Sequence, residues 1–370
     1  MLIPYFPNPF SLTDYYSIIS DKRTEPDIHN LGFTSKYQFV NNASLGINLL
    51  LKSFGLEPGS KVGLSPLICN SVTIAILKAG FTPYFFDINN DYISEFKEQS
   101  FNNSGIRAYI LPHLYGAMHP QTVEIVSWCR QNNVFLISDT AQSFGLTINN
   151  LPAIELGDGG VYSFGSGKAS SCAGGGIVYN LNVRISYLNN PFINMINNEQ
   201  SKYKLASRTY GLDKYKKGGL SGSLRGYLSS FTGDYNPGIT RIQFNAIKLF
   251  LKHREEIQIK RNINSSILQN NLDPQYFIMP GSFSDSLKFK YIFSLNLAEK
   301  KKSEFISAMR IKGIEIHNCS HTDSTHTKDN QLSNYEKLKN HLLELSTESS
   351  IPEKNFNKAA DIMNHHIKSF

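Results

Sequence analysis

Along most of this chain, short apolar runs alternate with longer stretches whose apolar positions recur every three or four residues. Tyr37-Gln38-Phe39-Val40 reads as a strand, and Ala43 to Phe54 has helical spacing that ends at Gly55. Lys61-Val62-Gly63-Leu64 is a second strand, and Cys69 to Lys78 is helical and stops at Ala79-Gly80. Thr82 to Phe86, Arg107 to Pro112 and Val134 to Ile137 read as further strands, with an amphipathic helix over Gln121 to Gln131. Two more strands, Val161 to Phe164 and Ile177 to Tyr179, flank a loop of small residues. Strands alternating with helices in this way predict an α/β fold on a mainly parallel sheet.

The last third changes character. Pro237 to about Leu268 predicts one long helix rich in Lys and Arg. After it come a strand over Tyr291 to Asn296, a helix over Ala298 to Lys312 and a strand at Ile314-Glu315-Ile316. A strand at Glu344 to Thr347 and a helix from about Glu353 to His366 close the chain. The expected organisation is a large α/β domain with an N-terminal segment over 1–240, followed by the linking helix and a small C-terminal α+β domain over 241–370.

In open parallel sheets, ligands sit outside the carboxyl ends of the strands, so residues just after strands carry the candidate chemistry. After Val40, Asn41-Asn42-Ala43-Ser44 opens a helix whose N-terminal amides and serine hydroxyl suit a phosphate. After Ile137 comes Ser138-Asp139-Thr140-Ala141-Gln142. Taken alone, Asp139 also reads as a helix N-cap. After Val161 to Phe164 comes a loop with one lysine, Lys168, among glycines and serines, then a run of glycines. An amine held there is partly shielded from water, which disfavours the ammonium and favours the neutral form a Schiff base requires. A solvated surface lysine is the bland alternative. A phosphate-binding P-loop is excluded, because Tyr162 and Ala169 stand where that motif needs Gly and Ser or Thr.

Composition narrows the picture without deciding it. A chain of 370 residues suits one large and one smaller domain. It has no apolar run of membrane-spanning length and no charged N-terminal region followed by an apolar core. Cys69, Cys129, Cys172 and Cys319 show no disulfide or metal framework, which suggests a reduced, cytoplasmic setting. His317, Cys319, His321 and His326 cluster, but in no structural-zinc spacing, and read as a polar loop. The net charge of +7 is concentrated between Lys202 and Arg225. That tract fits a solvated loop or an anionic small molecule, and it lacks the features of a nucleic-acid-binding module.

The ordered set of motifs is distinctive. Ser163-Phe164-Gly165-Ser166-Gly167-Lys168 is followed by Gly174-Gly175 and preceded by Asp139-Thr140-Ala141-Gln142. Gly55-Leu56-Glu57-Pro58-Gly59, His113-Leu114-Tyr115-Gly116, Tyr235-Asn236 and Ile242-Gln243 accompany them. In these segments the chain resembles the DegT/StrS sugar-aminotransferase family from about residue 36 to about residue 260, and more weakly to the C-terminus. These are fold type I enzymes that use pyridoxal 5′-phosphate (PLP). The resemblance implies a seven-stranded, mainly parallel sheet with a small C-terminal α+β domain.

It also implies roles. Lys168 would form the Schiff base with PLP and shuttle the proton between substrate and cofactor. Asp139 would pair with the pyridine nitrogen, Gln142 would contact the ring hydroxyl, and Ser163, Ser44 and the Ala43 amide would hold the phosphate. Asn236 would reach the phosphate in a neighbouring subunit, making a homodimer the minimal unit. The reaction implied moves an amino group from an amino acid, by resemblance L-glutamate, through pyridoxamine phosphate to a nucleotide-diphosphate keto-sugar. The product would serve surface polysaccharide such as O-antigen or lipopolysaccharide. No metal, nucleic acid or membrane enters this reading.

The chain departs from the family at four places. Ala43-Ser44 replaces the usual Gly-Thr, Cys69 stands where an aromatic stacks on the cofactor, Gly238 replaces an arginine, and the region before residue 36 is short. Cys69 reads as a small apolar side chain over the ring rather than a reactive thiol. The departures leave open a different PLP reaction, a lyase or dehydratase, or a non-catalytic regulatory role. A dehydratase branch of the family carries histidine at the lysine position, so Lys168 argues against that alternative.

Overall fold

A computed structural model of the chain describes residues 2–4, 10–22, 27–165, 167–182, 238–319 and 332–370. The basic tract at 202–225, Tyr235, Asn236, Ser166, His321 and His326 lie outside the described residues.

Seven strands form the large sheet: β1 (Tyr37–Val40), β2 (Lys61–Leu64), β3 (Thr82–Phe85), β4 (Ile106–Pro112), β5 (Phe135–Asp139), β8 (Gly159–Ser163) and β9 (Gly176–Tyr179). A short hairpin of β6 (Thr147–Ile148) and β7 (Leu151–Pro152) separates β5 from β8. The spatial order is β1-β9-β8-β5-β4-β2-β3. Neighbours from β3 to β8 pair in parallel, while β9 runs antiparallel to both β8 and β1. The sheet is therefore seven-stranded and mainly parallel, as the resemblance implies. Ala108 to Leu111 in β4 form a continuous buried run, the pattern of a strand covered on both faces.

The covering helices begin where local chemistry starts them. Asn42 caps α2 (Ala43–Ser53) by accepting the Leu45 N–H at 2.9 Å. Helices α3 (Asn70–Lys78), α4 (Glu98–Ser104) and α5 (Thr122–Gln131) follow in this part of the fold. Periodicity gave no indication of α1 (Leu12–Ser20), which starts with a capping box from Ser11 and Asp14. It rests on the long helix α6 (Arg241–Asn271), where Asn245 donates to the carbonyls of Ile18 and Asp21. Helix α6 itself starts with a capping box from Thr240 and Gln243 and runs past the expected end at Leu268.

The C-terminal sheet is wholly antiparallel, in the order β10 (Phe277–Ile278), β11 (Lys290–Leu295), β13 (Leu343–Ser346), β12 (His317–Asn318). Helices α7 (Glu299–Ile311), α8 (Ser333–Leu338) and α9 (Glu353–Ile367) belong to the same part of the chain. The expected strand at Ile314-Glu315-Ile316 is not formed. Ile314 makes one isolated bridge to Ile3, and the strand residues are His317 and Asn318. Ile314 and Ile316 are fully buried with Ile3, so their alternation records burial in a core rather than ladder pairing. The core beside α2 and α3 continues through Phe283 and Tyr335 into this C-terminal layer. Among the described residues, no helix is long and apolar enough to cross a membrane.

The reversal at β9 brings its first residue against the start of α2. A Cβ on Gly176 would lie 2.9 Å from the Tyr162 carbonyl oxygen and 3.0 Å from the Ala43 nitrogen, so only glycine allows this approach. Gly176→Ala is expected to lower stability by about 1–3 kcal/mol. Urea unfolding checks this, and an unchanged midpoint would contradict the close packing.

Candidate active site

The carboxyl edge of the large sheet opens into a cavity lined by Ala43, Ser44, Cys69, Asp139, Gln142, Ser163 and Lys168. Each comes from a different piece of local structure. Ala43 and Ser44 open α2, where the first amides have no intrahelical acceptor. The Ser44 hydroxyl donates to Asn42 Oδ1 at 2.9 Å, which holds it beside those amides, and its one proton would turn from Asn42 to a bound phosphate. Cys69 precedes α3, is half-buried, and its sulfur accepts from the Ser71 hydroxyl at 3.2 Å. Asp139 ends β5, Ser163 ends β8, and Lys168 follows in the loop before β9. Every cofactor-site residue expected from the sequence therefore meets at one cavity, except Asn236, which lies outside the described residues.

Asp139 is no helix cap. Its Oδ1 accepts the Ala141 N–H at 3.0 Å in a tight turn with no helix behind it, while Oδ2 has no hydrogen-bond partner among the described residues. Only 6% of the residue is exposed, and burial pushes its carboxyl above the usual carboxylate range. The Ala141 N–H and the charge of Lys168 pull the other way. Gln142 is oriented by its Oε1, which accepts the Tyr115 N–H at 2.8 Å and leaves Nε2 as a donor for the cavity. Tyr115 makes that bond from a left-handed backbone, at φ 54° and ψ 24°. The next residue, Gly116, has φ 84° and packs where a Cβ would lie 2.8 Å from the Leu287 side chain.

His113 lines the same cavity, from the His-Leu-Tyr-Gly segment, although no role of its own was expected for it. Its amide donates to the Asp139 carbonyl at 3.0 Å, and its carbonyl accepts from the Ser143 hydroxyl. The Ser138 hydroxyl donates to Ala153 O at 2.6 Å, so it must accept from His113 Nε2, 3.1 Å away. His113 Nδ1 is then the acceptor for the His119 N–H at 3.3 Å, which assigns a neutral ring. Burial, with the neighbouring His119, pushes His113 down to about 3. Burial also pushes His119 down to about 4, against the pull of the Ser94 carbonyl and Glu124.

The residues present fit PLP. Free amides and two hydroxyls at Ala43, Ser44 and Ser163 suit its phosphate. The unpaired Asp139 Oδ2 suits a protonated ring nitrogen, Gln142 Nε2 suits the ring oxygen, and the Lys168 amine suits the aldehyde. Cys69 contributes no aromatic face. Among the described residues, the four cysteines form no disulfide, and no group of three His, Cys, Asp or Glu side chains is placed to hold a metal.

Comparison with known proteins identifies the chain's family and fold. A model of the DegT/DnrJ/EryC1/StrS aminotransferase family matches residues 36–361. A GDP-perosamine synthase of Escherichia coli O157:H7 is 30% identical over 144 residues, a stretch covering 38% of each chain. The similarity thus spans well under half the length of that relative. Among solved structures, Helicobacter pylori PseC, an aminotransferase involved in the biosynthesis of pseudoaminic acid, aligns over 100% of both chains with TM-score 0.74 and 15% identity. DesI with its TDP-sugar product aligns over 98% of this chain and 92% of its own, with TM-score 0.71 and 17% identity. These likenesses carry the fold type I architecture.

Two outcomes are expected from the site. Ser44→Ala and Ser163→Ala should each weaken PLP binding about tenfold or more, because each removes a hydrogen bond to a charged group. Equilibrium dialysis measures it, and unchanged affinity in both variants would remove the phosphate assignment. The second concerns acid. Between about pH 6.5 and 4, the unfolded imidazoles of His113 and His119 bind protons that the folded ones do not. Stability should therefore fall from pH 7.5 to 5.5 by about 1 kcal/mol for each imidazole, the raised Asp139 carboxyl opposing with the reverse slope. Urea titrations at the two pH values decide, and equal or greater stability at pH 5.5 would contradict the neutral assignment.

Proposed function

The chain belongs to the DegT/DnrJ/EryC1/StrS aminotransferase family, and on that premise we propose that it is a PLP-dependent aminotransferase acting on a nucleotide-linked keto-sugar. The observation that carries this reading is the cavity where Lys168, the unpaired Asp139 Oδ2 and the open end of α2 converge. When bound, PLP supplies a carbonyl for amines and a ring that draws electrons from the bond being broken. The chain's own groups then have distinct work. The α2 amides with Ser44 and Ser163 anchor the phosphate, so the ring cannot slide as substrates exchange. Asp139 accepts a hydrogen bond from the ring nitrogen at Oδ2 and keeps that nitrogen protonated. Gln142 Nε2 donates to the ring oxygen and fixes the tilt of the ring. Lys168 Nζ would be the group that takes the proton in one half-reaction and returns a proton in the other.

The finer parts of the reading concern the substrates. We place L-glutamate as amino donor and a nucleotide-diphosphate keto-sugar as acceptor, with the product directed to surface polysaccharide. The basic tract at 202–225 is the proposed partner of the diphosphate, and Asn236 is the proposed contact with the phosphate in a second subunit of a homodimer. The residues 1–240 and 241–370 are proposed as the two domains. Cys69 and Gly238 reduce the contacts made to cofactor and substrate without touching the proton path through Lys168.

Lys168→Ala should lower amino transfer by about 10³-fold or more, the scale of a lost acid-base group. The assay follows 2-oxoglutarate release from L-glutamate with a panel of keto-sugar nucleotides. Reduction with borohydride should fix PLP on Lys168 in the unaltered protein, mapped by peptide mass spectrometry. Full turnover in Lys168→Ala, or label on another lysine, would sink the proposal.

A further inference from the structure

Arg261 lies on the long helix that the sequence marks only as basic, yet it is 2% exposed and is the bulkiest fully buried side chain among the described residues. Its guanidinium joins three segments far apart in sequence. Nη1 donates to the carbonyl of Ala169, the residue after Lys168, at 2.5 Å. Nη2 donates to Glu348 Oε2 at 2.6 Å in the turn after β13. The other Glu348 oxygen accepts the Ser349 N–H and hydroxyl at 2.7 and 2.8 Å. One turn along α6, Asn264 donates to the carbonyls of Thr347 and Glu348 at 3.1 and 3.2 Å. Both charges are buried and held by directed bonds.

The loop that Arg261 grips is closed on itself. The Phe164 carbonyl accepts the amides of Cys172 and Gly174 at 3.0 and 3.2 Å, and the Phe164 amide donates to Gly175 O at 2.9 Å. The Lys168 carbonyl accepts the Ser171 N–H at 3.1 Å, and the Ser170 hydroxyl donates to Ser163 O at 2.7 Å. With these bonds tying the loop to itself, a bond at Ala169 holds the backbone from which the Lys168 side chain extends. A buried ion pair is a costly way to gain stability alone, because apolar residues of similar volume often do as well. What the pair adds is direction, since a planar guanidinium accepts few arrangements of its partners.

We propose that Arg261 and Glu348 are positioning residues for the Lys168 loop, making the placement of the amine depend on the C-terminal layer. The consequence for turnover rests on the reading of Lys168 given above, whereas the physical coupling does not.

Hydrogen exchange on the cofactor-free full chain tests the coupling without any chemistry at Lys168. Peptides covering 164–176 should exchange about tenfold faster or more in Arg261→Met, the loss expected for a charge-assisted bond. Arg261→Lys should recover part of the protection. Glu348→Gln, whose altered atom does not touch the loop, should also speed exchange there. Should Arg261→Met fail to fold, Glu348→Gln decides. Exchange at 164–176 within about twofold of the unaltered protein in every folded variant, or faster exchange confined to 341–352, would overturn the proposal. In parallel, borohydride trapping of PLP on Lys168 should slow in the variants that loosen the loop. If the unaltered protein takes no label, the reading of Lys168 fails while the exchange result still judges the coupling.

Discussion

The parallel pairing of β4, β5 and β8 is the constraint from which the cavity follows. With Pro112 opposite Asp139 and Asp139 opposite Val161, the residues that leave these strands emerge side by side at one edge. His113, Gln142 and the Lys168 loop inherit their places from that register. A shift of one residue in β5 would turn the Asp139 side chain to the other face of the sheet. The antiparallel β9 then completes the arrangement, because it returns the chain beside β8 and brings Gly176 against the first amide of α2.

Electrostatics in the cavity are divided between groups that want a ligand and groups that refuse charge. Asp139 is buried with one carboxylate oxygen unpaired, a state that a protonated ring nitrogen would relieve. Behind it, His113 and His119 are kept neutral by burial and by fully assigned hydrogen bonds. A neutral imidazole next to the Asp139 backbone gives rigidity without competing for its carboxylate. The Lys168 amine lines the same cavity and is the group through which the proposed reaction moves its proton.

The same logic extends to the interface with the C-terminal layer. Tyr115 holds Gln142 from a strained backbone, its ring packs edge-on against Phe283 at 5.3 Å, and the Gly116 carbonyl accepts the Leu287 N–H at 3.0 Å. Arg261, paired with Glu348, bonds the loop that carries Lys168 at the Ala169 carbonyl. Two segments that contribute to the site, at Tyr115-Gly116 and at the Lys168 loop, are thus tied to residues 92 or more positions away in the chain.

Strand and helix alternation was legible in the sequence because buried parallel strands need near-continuous apolar runs, and helix periodicity differs sharply from them. Lys168 and Asp139 were legible because unusual residues stand directly after such runs. The apolar pair Ile314 and Ile316 misled, since alternation reports which side chains are buried and not which backbone groups pair. The N-terminal helix escaped notice because its apolar face forms only against α6. Arg261 and His113 were equally hidden: one lies in a basic helix and the other in a motif with no stated role. By itself, the sequence determined the strands of the large sheet, their order along the chain and the candidate groups at their ends. The tertiary structure alone decided which atoms remain unpaired, which imidazoles stay neutral and which distant charge holds the lysine loop, because each depends on burial and direction between residues far apart in the chain.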